Sequence, residues 1–311
     1  MRVVFFGTTA FGEPALRNLA GNHEVSLVVT VPDAPAGRGL KLTPPPIRTV
    51  AGELGIRVLQ PENLKNAAFI DTLGSVEADL FFVAAYRILP REVFSLAPKG
   101  TVNLHASLLP DLRGAAPINW AIMYGYERTG LTTFFITERV DAGDILLQEE
   151  VSIGPDETAG ELEARMKVIG GTLSLKTVNL IEKGLLAPSP QIPGTVRPAP
   201  KLFRQDRIVD WNIDARAVHN RVRGLSPDPG AFIECRGGPV KILRTRVLDE
   251  DTPGSPGTVL ACSDKEGMVV SCARGNVRIL DMQPPGKKAL TSACFLRGHP
   301  VEPGMNISEI C

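Results

Sequence analysis

The chain has 311 residues, 43% hydrophobic and 22% charged, with 34 Lys+Arg against 34 Asp+Glu. That length is enough for about two ordinary domains, and the composition is that of a globular chain with ample core-forming material. No run approaches the ~18 apolar residues of a membrane span, and the two tryptophans and three tyrosines are too few for an aromatic surface that stacks single-stranded bases.

The charge is unevenly spread. Residues 1–184 carry 17 Lys+Arg and 21 Asp+Glu (17 − 21 = −4), which leaves 17 against 13 (+4) for 185–311. Such a split can mark a polyanion-facing domain, although chance fluctuation explains it equally well. All five cysteines (Cys235, Cys262, Cys272, Cys294 and Cys311) lie in the second half without a Cys-x-x-Cys pair. An odd number so spaced is no disulfide framework, and reduced thiols in a cytoplasmic protein are expected. Met1 and Arg2 lead directly into an apolar run, so neither a signal nor a transit segment is expected.

Residues 3–6 read as a buried strand, 14–19 as a helix and 24–30 as a second strand, which is the unit of a parallel α/β sheet. Residues 31–46 read as a loop rich in Pro and Gly, containing Arg38 and Lys41; its length makes it a candidate for function. The alternation resumes with a helix at 47–54, a short strand at 57–59, a helix at 67–73, a strand at 80–85, a short helix at 90–94 and a strand from 100 that ends at His105. A helix follows at 117–124. Strands at 132–136 and 145–151 flank the turn Asp141-Ala-Gly-Asp144, and an amphipathic helix covers 158–183.

Periodicity then disappears. Prolines at 188, 190, 193, 198 and 200 mark 185–205 as an extended linker. A helix at 215–225 precedes five short β-like runs at 231–235, 240–247, 257–261, 267–272 and 276–282, a spacing that fits a small β-barrel. The expected architecture is therefore a Rossmann-like, mostly parallel α/β sheet with helices on both faces (1–184), a linker (185–205) and a small OB-like β-barrel domain (206–311).

Asn103 and His105 are two apart on a strand, so their side chains share a face. They lie at its carboxyl end, where open α/β sheets bind ligands. An Asn amide can stabilise a developing oxyanion, an imidazole can pass a proton near neutral pH, and a carboxylate such as Asp141 can orient the imidazole. Asn-x-His alone reads more readily as a helix-facing or loop polar pair. No serine or cysteine nucleophile is marked, which favours direct transfer over a covalent intermediate. The Gly7…Gly12 turn lacks both the dinucleotide-binding and the P-loop pattern, so no nucleotide cofactor is expected there. His23, His219 and His299 lack metal-ligand spacing, and no metal is expected.

The run Asn103-Leu104-His105-Ala106-Ser107-Leu108-Leu109-Pro110, with Asp141 further on, resembles the signature of the 10-formyltetrahydrofolate-dependent formyltransferases. The likeness extends to Phe6-Gly-Thr-Thr-Ala-Phe11, Asp33-Ala-Pro-Ala-Gly-Arg-Gly-Leu-Lys-Leu42, Leu112-Arg-Gly-Ala-Ala-Pro117 and Pro284-Pro-Gly-Lys-Lys288. It implies direct attack of an amine on the formyl group of 10-formyltetrahydrofolate through a tetrahedral intermediate. Asn103 and His105 would face the oxyanion, and Asp141 would hold His105 or a water. The folate would lie along Phe82, Ala85, Tyr86, Arg87, Ile88, Leu89 and Pro90, with Ser107, Leu108, Leu109 and Pro110 completing its site. Arg87 departs from the Tyr-Gly found in many relatives, and would disturb the loop if that glycine is left-handed.

Within that family, a basic, glycine-flanked loop and a linked C-terminal domain like these mark the members that act on tRNA, so the resemblance implies initiator methionyl-tRNA as the acceptor. Phe11, Arg38, Lys41, Arg204, Lys287 and Lys288 would contact it, with Arg197, Lys201, Arg207, Arg221, Arg223 and Arg244 as further phosphate contacts. The enzyme would be a cytoplasmic monomer. Two alternatives remain open at this point: a formyltransferase acting on an amino-sugar nucleotide, and an RNA-binding protein built on a catalytically silent enzyme fold.

Overall fold

A computed structural model describes the chain except residues 37–40, 193, 195, 236, 249–253, 264, 266 and 311. In chain order the elements are β1 (Arg2–Gly7), α1 (Glu13–Ala20), β2 (Glu24–Val29), β3 (Ala34–Ala36), β4 (Lys41–Thr43), α2 (Pro46–Glu53), β5 (Val58–Leu59), α3 (Ala67–Gly74), β6 (Leu80–Ala84), α4 (Arg91–Phe94) and β7 (Thr101–His105). There follow α5 (Pro117–Met123), β8 (Arg128–Phe135), β9 (Ile145–Ser152), α6 (Ala159–Glu182), α7 (Ala215–Leu225), β10 (Ala231–Ile233), β11 (Val240–Leu248), β12 (Val259–Ser263), β13 (Gly267–Ser271), β14 (Asn276–Gln283), β15 (Leu290–Thr291) and α8 (Ser292–Leu296).

The chain forms two compact units. The first comprises Met1–Gly114, Thr129–Val151 and Glu163–Pro198; the second comprises Ala115–Arg128, Ser152–Leu162 and Ala199–Cys311.

The first unit is built on a seven-stranded sheet in the order β5-β2-β1-β6-β7-β8-β9. β5, β2, β1, β6 and β7 run parallel, and β8 is antiparallel to β7. Strands buried on both faces read as unbroken apolar runs, and β1 shows why. Val4 and Phe6 join a core with Phe69 and Leu73 of α3 and Val93 of α4, while Phe5, turned the other way, stacks on Phe82 with ring centroids 6.1 Å apart. α6 packs on the face to which Leu104 points: a Cβ at Gly170 would come within 2.9 Å of the Leu104 side chain. Asn103 and His105, one residue to either side, therefore project from the opposite face.

The expected loop at 31–46 contains a two-stranded hairpin, with Ala34 paired to Thr43 and Ala36 to Lys41. Arg48 of α2 reaches back to Asp33, and Gln60 donates to Asp33 at 2.7 Å, which secures the start of the hairpin.

The second unit holds an antiparallel sheet, β10-β11-β14-β13-β12, with β15 added alongside β14. Its core includes Val218, Val222 and Leu225 from α7, Val240 and Ile242 from β11, and Met268, Val277 and Phe295. α5 packs against α7, and Asn119 donates to the Gly224 carbonyl at 2.8 Å. α6 begins in a reciprocal cap: Thr158 N–H donates to Glu161 Oε2 at 2.9 Å, and Glu161 N–H to Thr158 Oγ1 at 3.3 Å. Such boxes satisfy two otherwise orphaned donors and stabilise a helix start by about 1 kcal/mol.

Candidate active site

At the carboxyl end of β7, Asn103 pairs with Val83 on one side and Phe134 on the other, and His105 pairs with Thr132. The Asn103 side chain is part-exposed and has no hydrogen-bond partner among the described residues. It lines a cleft together with the apolar Val83, Leu89, Phe134 and Ile136 and the polar or charged Tyr86, Arg87, Glu138, Arg139 and Asp141.

His105 is only 6% exposed and is not among the lining residues of that cleft. It meets two residues that are. Its ring and that of Phe134 form a T-shaped pair with centroids 6.5 Å apart, and Nδ1 lies 3.9 Å from Asp141 Oδ2. Its Nε2 is 3.0 Å from the Leu112 carbonyl. A carbonyl only accepts, so Nε2 carries the proton and Nδ1 of the neutral ring is the basic nitrogen. Asp141 thus faces the nitrogen that would become charged, at a distance too long for a hydrogen bond. Leu112, not Asp141, directly tethers the ring.

The residues after His105 form a strut. Ser107, fully buried, donates to the Asp111 carbonyl at 2.6 Å. Thr132 donates to the Ser107 carbonyl at 2.7 Å and accepts from Leu109 N–H at 3.1 Å. Gln148 donates to the Leu109 carbonyl at 3.0 Å. The Leu108 side chain fills the space over Gly130, where a Cβ would approach it to 2.4 Å. Pro110 follows Leu109 within the same strut.

Asp141 sits at φ +51°, and its Oδ2 accepts from Gly114 N–H at 3.0 Å. The tightness of its turn explains the glycine in Asp-Ala-Gly-Asp: a Cβ at Gly143 would fall 1.7 Å from the Phe135 carbonyl oxygen. Leu112, at φ +58°, is left-handed as well.

The loop after β6 carries a third left-handed residue, Ala85 at φ +52°, whose carbonyl accepts from Thr8 N–H at 3.1 Å. Arg87 is not left-handed, so its side chain imposes no backbone cost of the kind expected. The guanidinium donates to the Pro61 carbonyl at 2.6 Å, the Glu62 carbonyl at 3.0 Å and the Tyr86 hydroxyl at 3.1 Å. Arg87 therefore clamps the loop to the segment before α3. Burial pushes the Tyr86 phenol above its usual range, against the bond from Arg87, and its ring packs on Phe6. Of the other residues expected along the folate, Phe82 of β6 and Leu89 of the loop are buried, Ile88 is exposed and Pro90 caps α4.

Of the residues expected on the acceptor side, Arg38 lies outside the described residues, Lys41 is exposed in β4, and Phe11 is buried. In the second unit Arg204 and Arg207 stack over Phe232, at 4.9 and 5.4 Å from its centroid. With Lys241 they line a groove that ends at Pro284-Pro285-Gly286, next to the exposed Lys287 and Lys288. Arg204 also pairs with Glu234 at 2.6 Å. Arg223 and Arg244 are engaged internally, Arg223 with the Gly154 and Glu157 carbonyls and Arg244 with Glu161. Among the described residues no group of three His, Cys, Asp or Glu side chains could hold a metal ion.

Residues 1–178 match the formyl transferase family, and residues 201–300 match its C-terminal domain. The chain belongs to the formyl transferase family. A methionyl-tRNA formyltransferase of Porphyromonas gingivalis is 43% identical over 99% of this chain and 98% of its own length. A methionyl-tRNA formyltransferase of Moorella thermoacetica is 40% identical, with 98% of each chain covered. Among solved structures, HypX from Aquifex aeolicus in complex with tetrahydrofolic acid superimposes with a TM-score of 0.63 at 23% identity. That match covers 95% of this chain but 47% of the longer HypX chain. An N-formyltransferase from Helicobacter canadensis aligns with a TM-score of 0.65 at 18% identity, covering 89% and 98%. At these identities the structural likeness establishes a shared formyl transferase fold.

Two features of the site have no counterpart in the sequence reading: the Leu112 carbonyl on His105, and Gln191, which contacts the Asp141 turn. A backbone carbonyl leaves no side-chain signal. Gln191 lies in a segment whose only visible trait is its proline content.

Proposed function

We propose that this formyl transferase moves the formyl group of 10-formyltetrahydrofolate to the amino group of methionine on initiator methionyl-tRNA, in the cytoplasm and as a monomer. The observation that carries the proposal is an imidazole with its tautomer fixed by Leu112, a carboxylate facing its free nitrogen and an unpartnered amide nearby. The full-length relatives bearing the name of this activity support the choice of acceptor. The cleft suits a flat heteroaromatic ring, with Val83, Leu89, Phe134 and Ile136 for its faces and the loop residues 86–89 for its polar edge.

The donor supplies a formyl carbon open to attack by an amine. Asn103 donates an amide N–H to the formyl oxygen as the amine adds and negative charge gathers there. His105 takes, at Nδ1, the proton that the attacking nitrogen sheds, directly or through water. Asp141 stabilises the resulting imidazolium across 3.9 Å. When the tetrahedral intermediate collapses, the bond from the formyl carbon to N10 of the folate breaks and His105 or the water passes that proton to N10, so tetrahydrofolate leaves neutral and the imidazole returns to its neutral form. Nε2 is committed to Leu112 and has no part in the transfer. Lys41, Lys287 and Lys288, together with the groove of Arg204, Arg207 and Lys241, neutralise RNA phosphates, so affinity for tRNA falls as salt rises.

The decisive assay supplies 10-formyltetrahydrofolate with charged initiator tRNA, charged elongator tRNA or an amino-sugar nucleotide. Preferential formylation of the initiator tRNA is expected. Transfer to the sugar and not to tRNA overturns the choice of acceptor, and absence of transfer to any of them points to a silent fold.

A further inference from the structure

The geometry points to Gln191 as a positioning residue for the His105–Asp141 pair, an assignment that builds on the proposed formyl-transfer site. Gln191 Nε2 donates to the Asp141 carbonyl at 2.9 Å and the Gly143 carbonyl at 2.8 Å. Its Oε1 accepts from Arg113, at 2.6 Å from Nη2 and 3.2 Å from Nε. Arginine only donates and carbonyls only accept, so the amide has one possible orientation.

The two loops that Gln191 joins are the two that flank His105. Arg113 adjoins Leu112, whose carbonyl holds Nε2, and Asp141 faces Nδ1. Leu112 and Asp141 both have left-handed backbones, a conformation that side-chain-bearing residues keep only when their surroundings enforce it. Gln191 supplies part of that enforcement to both loops with a single side chain.

The segment that delivers it is anchored on either side. Ser189 forms a two-way backbone bridge with Ile145, at 2.8 and 2.9 Å. Arg197 N–H donates to Asp111 Oδ1 at 2.7 Å, and the Arg197 carbonyl accepts from Leu112 N–H at 2.9 Å. A proline-rich stretch that looks like a passive tether thereby becomes part of the scaffold of the site. Gln191 touches neither the imidazole nor the Asp141 carboxylate; it acts through the turn.

The test uses the full chain and the variants Gln191→Ala, Gln191→Glu and Asp141→Asn, singly and combined. The first readout needs no turnover: hydrogen exchange of the Gly114 amide, which donates to Asp141 Oδ2. Its exchange should speed at least about tenfold in Gln191→Ala, with thermal stability close to that of the parent. Unchanged exchange overturns the assignment even if the parent proves to transfer no formyl group, an outcome that sinks the functional reading separately.

The second readout is formyl transfer. Gln191→Ala should lower kcat roughly ten- to hundredfold with KM for either substrate nearly unchanged, because misplacement of the pair is felt in the chemical step. In an Asp141→Asn background the same change should cost less than about twofold, since residues acting as one unit are not additive. Gln191→Glu keeps the acceptor for Arg113 but loses the donor to the turn, and should behave like Gln191→Ala. Parental kcat in Gln191→Ala, or a fully additive double variant, overturns the assignment.

Discussion

Replacing Asp141 by Asn separates charge from anchorage. The asparagine oxygen can still accept from Gly114 N–H, as Oδ2 does at 3.0 Å, so the turn keeps its tie. Only the negative charge facing His105 Nδ1 is removed. Across 3.9 Å a carboxylate and an imidazolium attract by about 4 kcal/mol at an effective dielectric of about 20. The two side chains are 7% and 13% exposed, so solvent trims this figure without erasing it. About 4 kcal/mol corresponds to roughly a thousandfold in rate, and a loss of roughly one hundred- to a thousandfold in kcat is expected. Asp141→Ala should lose more, because Gly114 N–H is then orphaned too. Rapid-quench single-turnover formylation with both substrates saturating measures the chemical step without product release. A rate for Asp141→Asn within about threefold of the parent would refute the charge argument and leave Asp141 a loop anchor only.

Two further predictions concern other parts of the molecule. Arg87→Gly removes the clamp on the Pro61 and Glu62 carbonyls and should weaken folate binding about three- to tenfold while barely changing kcat, since charge-assisted bonds of this kind contribute about 1.5–3 kcal/mol before solvent exposure is discounted. Titration with a non-transferable folate analogue checks this, and an unchanged Kd counts against the clamp. His219, buried in α7 between Thr245 and Pro155, is held below its usual range chiefly by desolvation. The unfolded chain therefore takes up this proton first, and stability should fall as pH drops below about 6.5, down to the lower folded value. His219→Gln should flatten that slope in thermal unfolding scans, and an identical slope would assign the pH dependence to other groups.

Much of the fold was legible because its strands are apolar on both faces. β1, β2 and β6 appeared as runs rich in Val, Leu and Phe within a residue or two of their observed ends, and β7 as the strand that ends at His105. The misses have local causes. The β3–β4 hairpin consists of Ala-Pro-Ala and Lys-Leu-Thr, and its second strand is exposed throughout, so no alternation marks it. β8 begins at Arg128, four positions before the expected start, because Arg-Thr-Gly does not look like a strand. Its Gly130 is there to admit the Leu108 side chain. β15 has only two residues. At the site, the period of two put Asn103 and His105 on one face. Asp141 was placed near them by family resemblance, and no periodicity would have done so. The roles of the Leu112 carbonyl and Gln191 depend on how distant loops meet, which spacing along the chain does not encode.

The division of the chain into units has a consequence for how the protein can be made. The polypeptide passes from one unit to the other after residues 114, 128, 151, 162 and 198. A ribosome delivering it from the amino terminus completes the first unit at Pro198, yet by then it has also released two segments, Ala115–Arg128 and Ser152–Leu162, whose packing partners are still to be synthesised. Domains that emerge whole can fold one after another during synthesis; these two cannot be strictly sequential. Cutting the chain after residue 184 would make that temporary state permanent, leaving α5 without the α7 face it packs against.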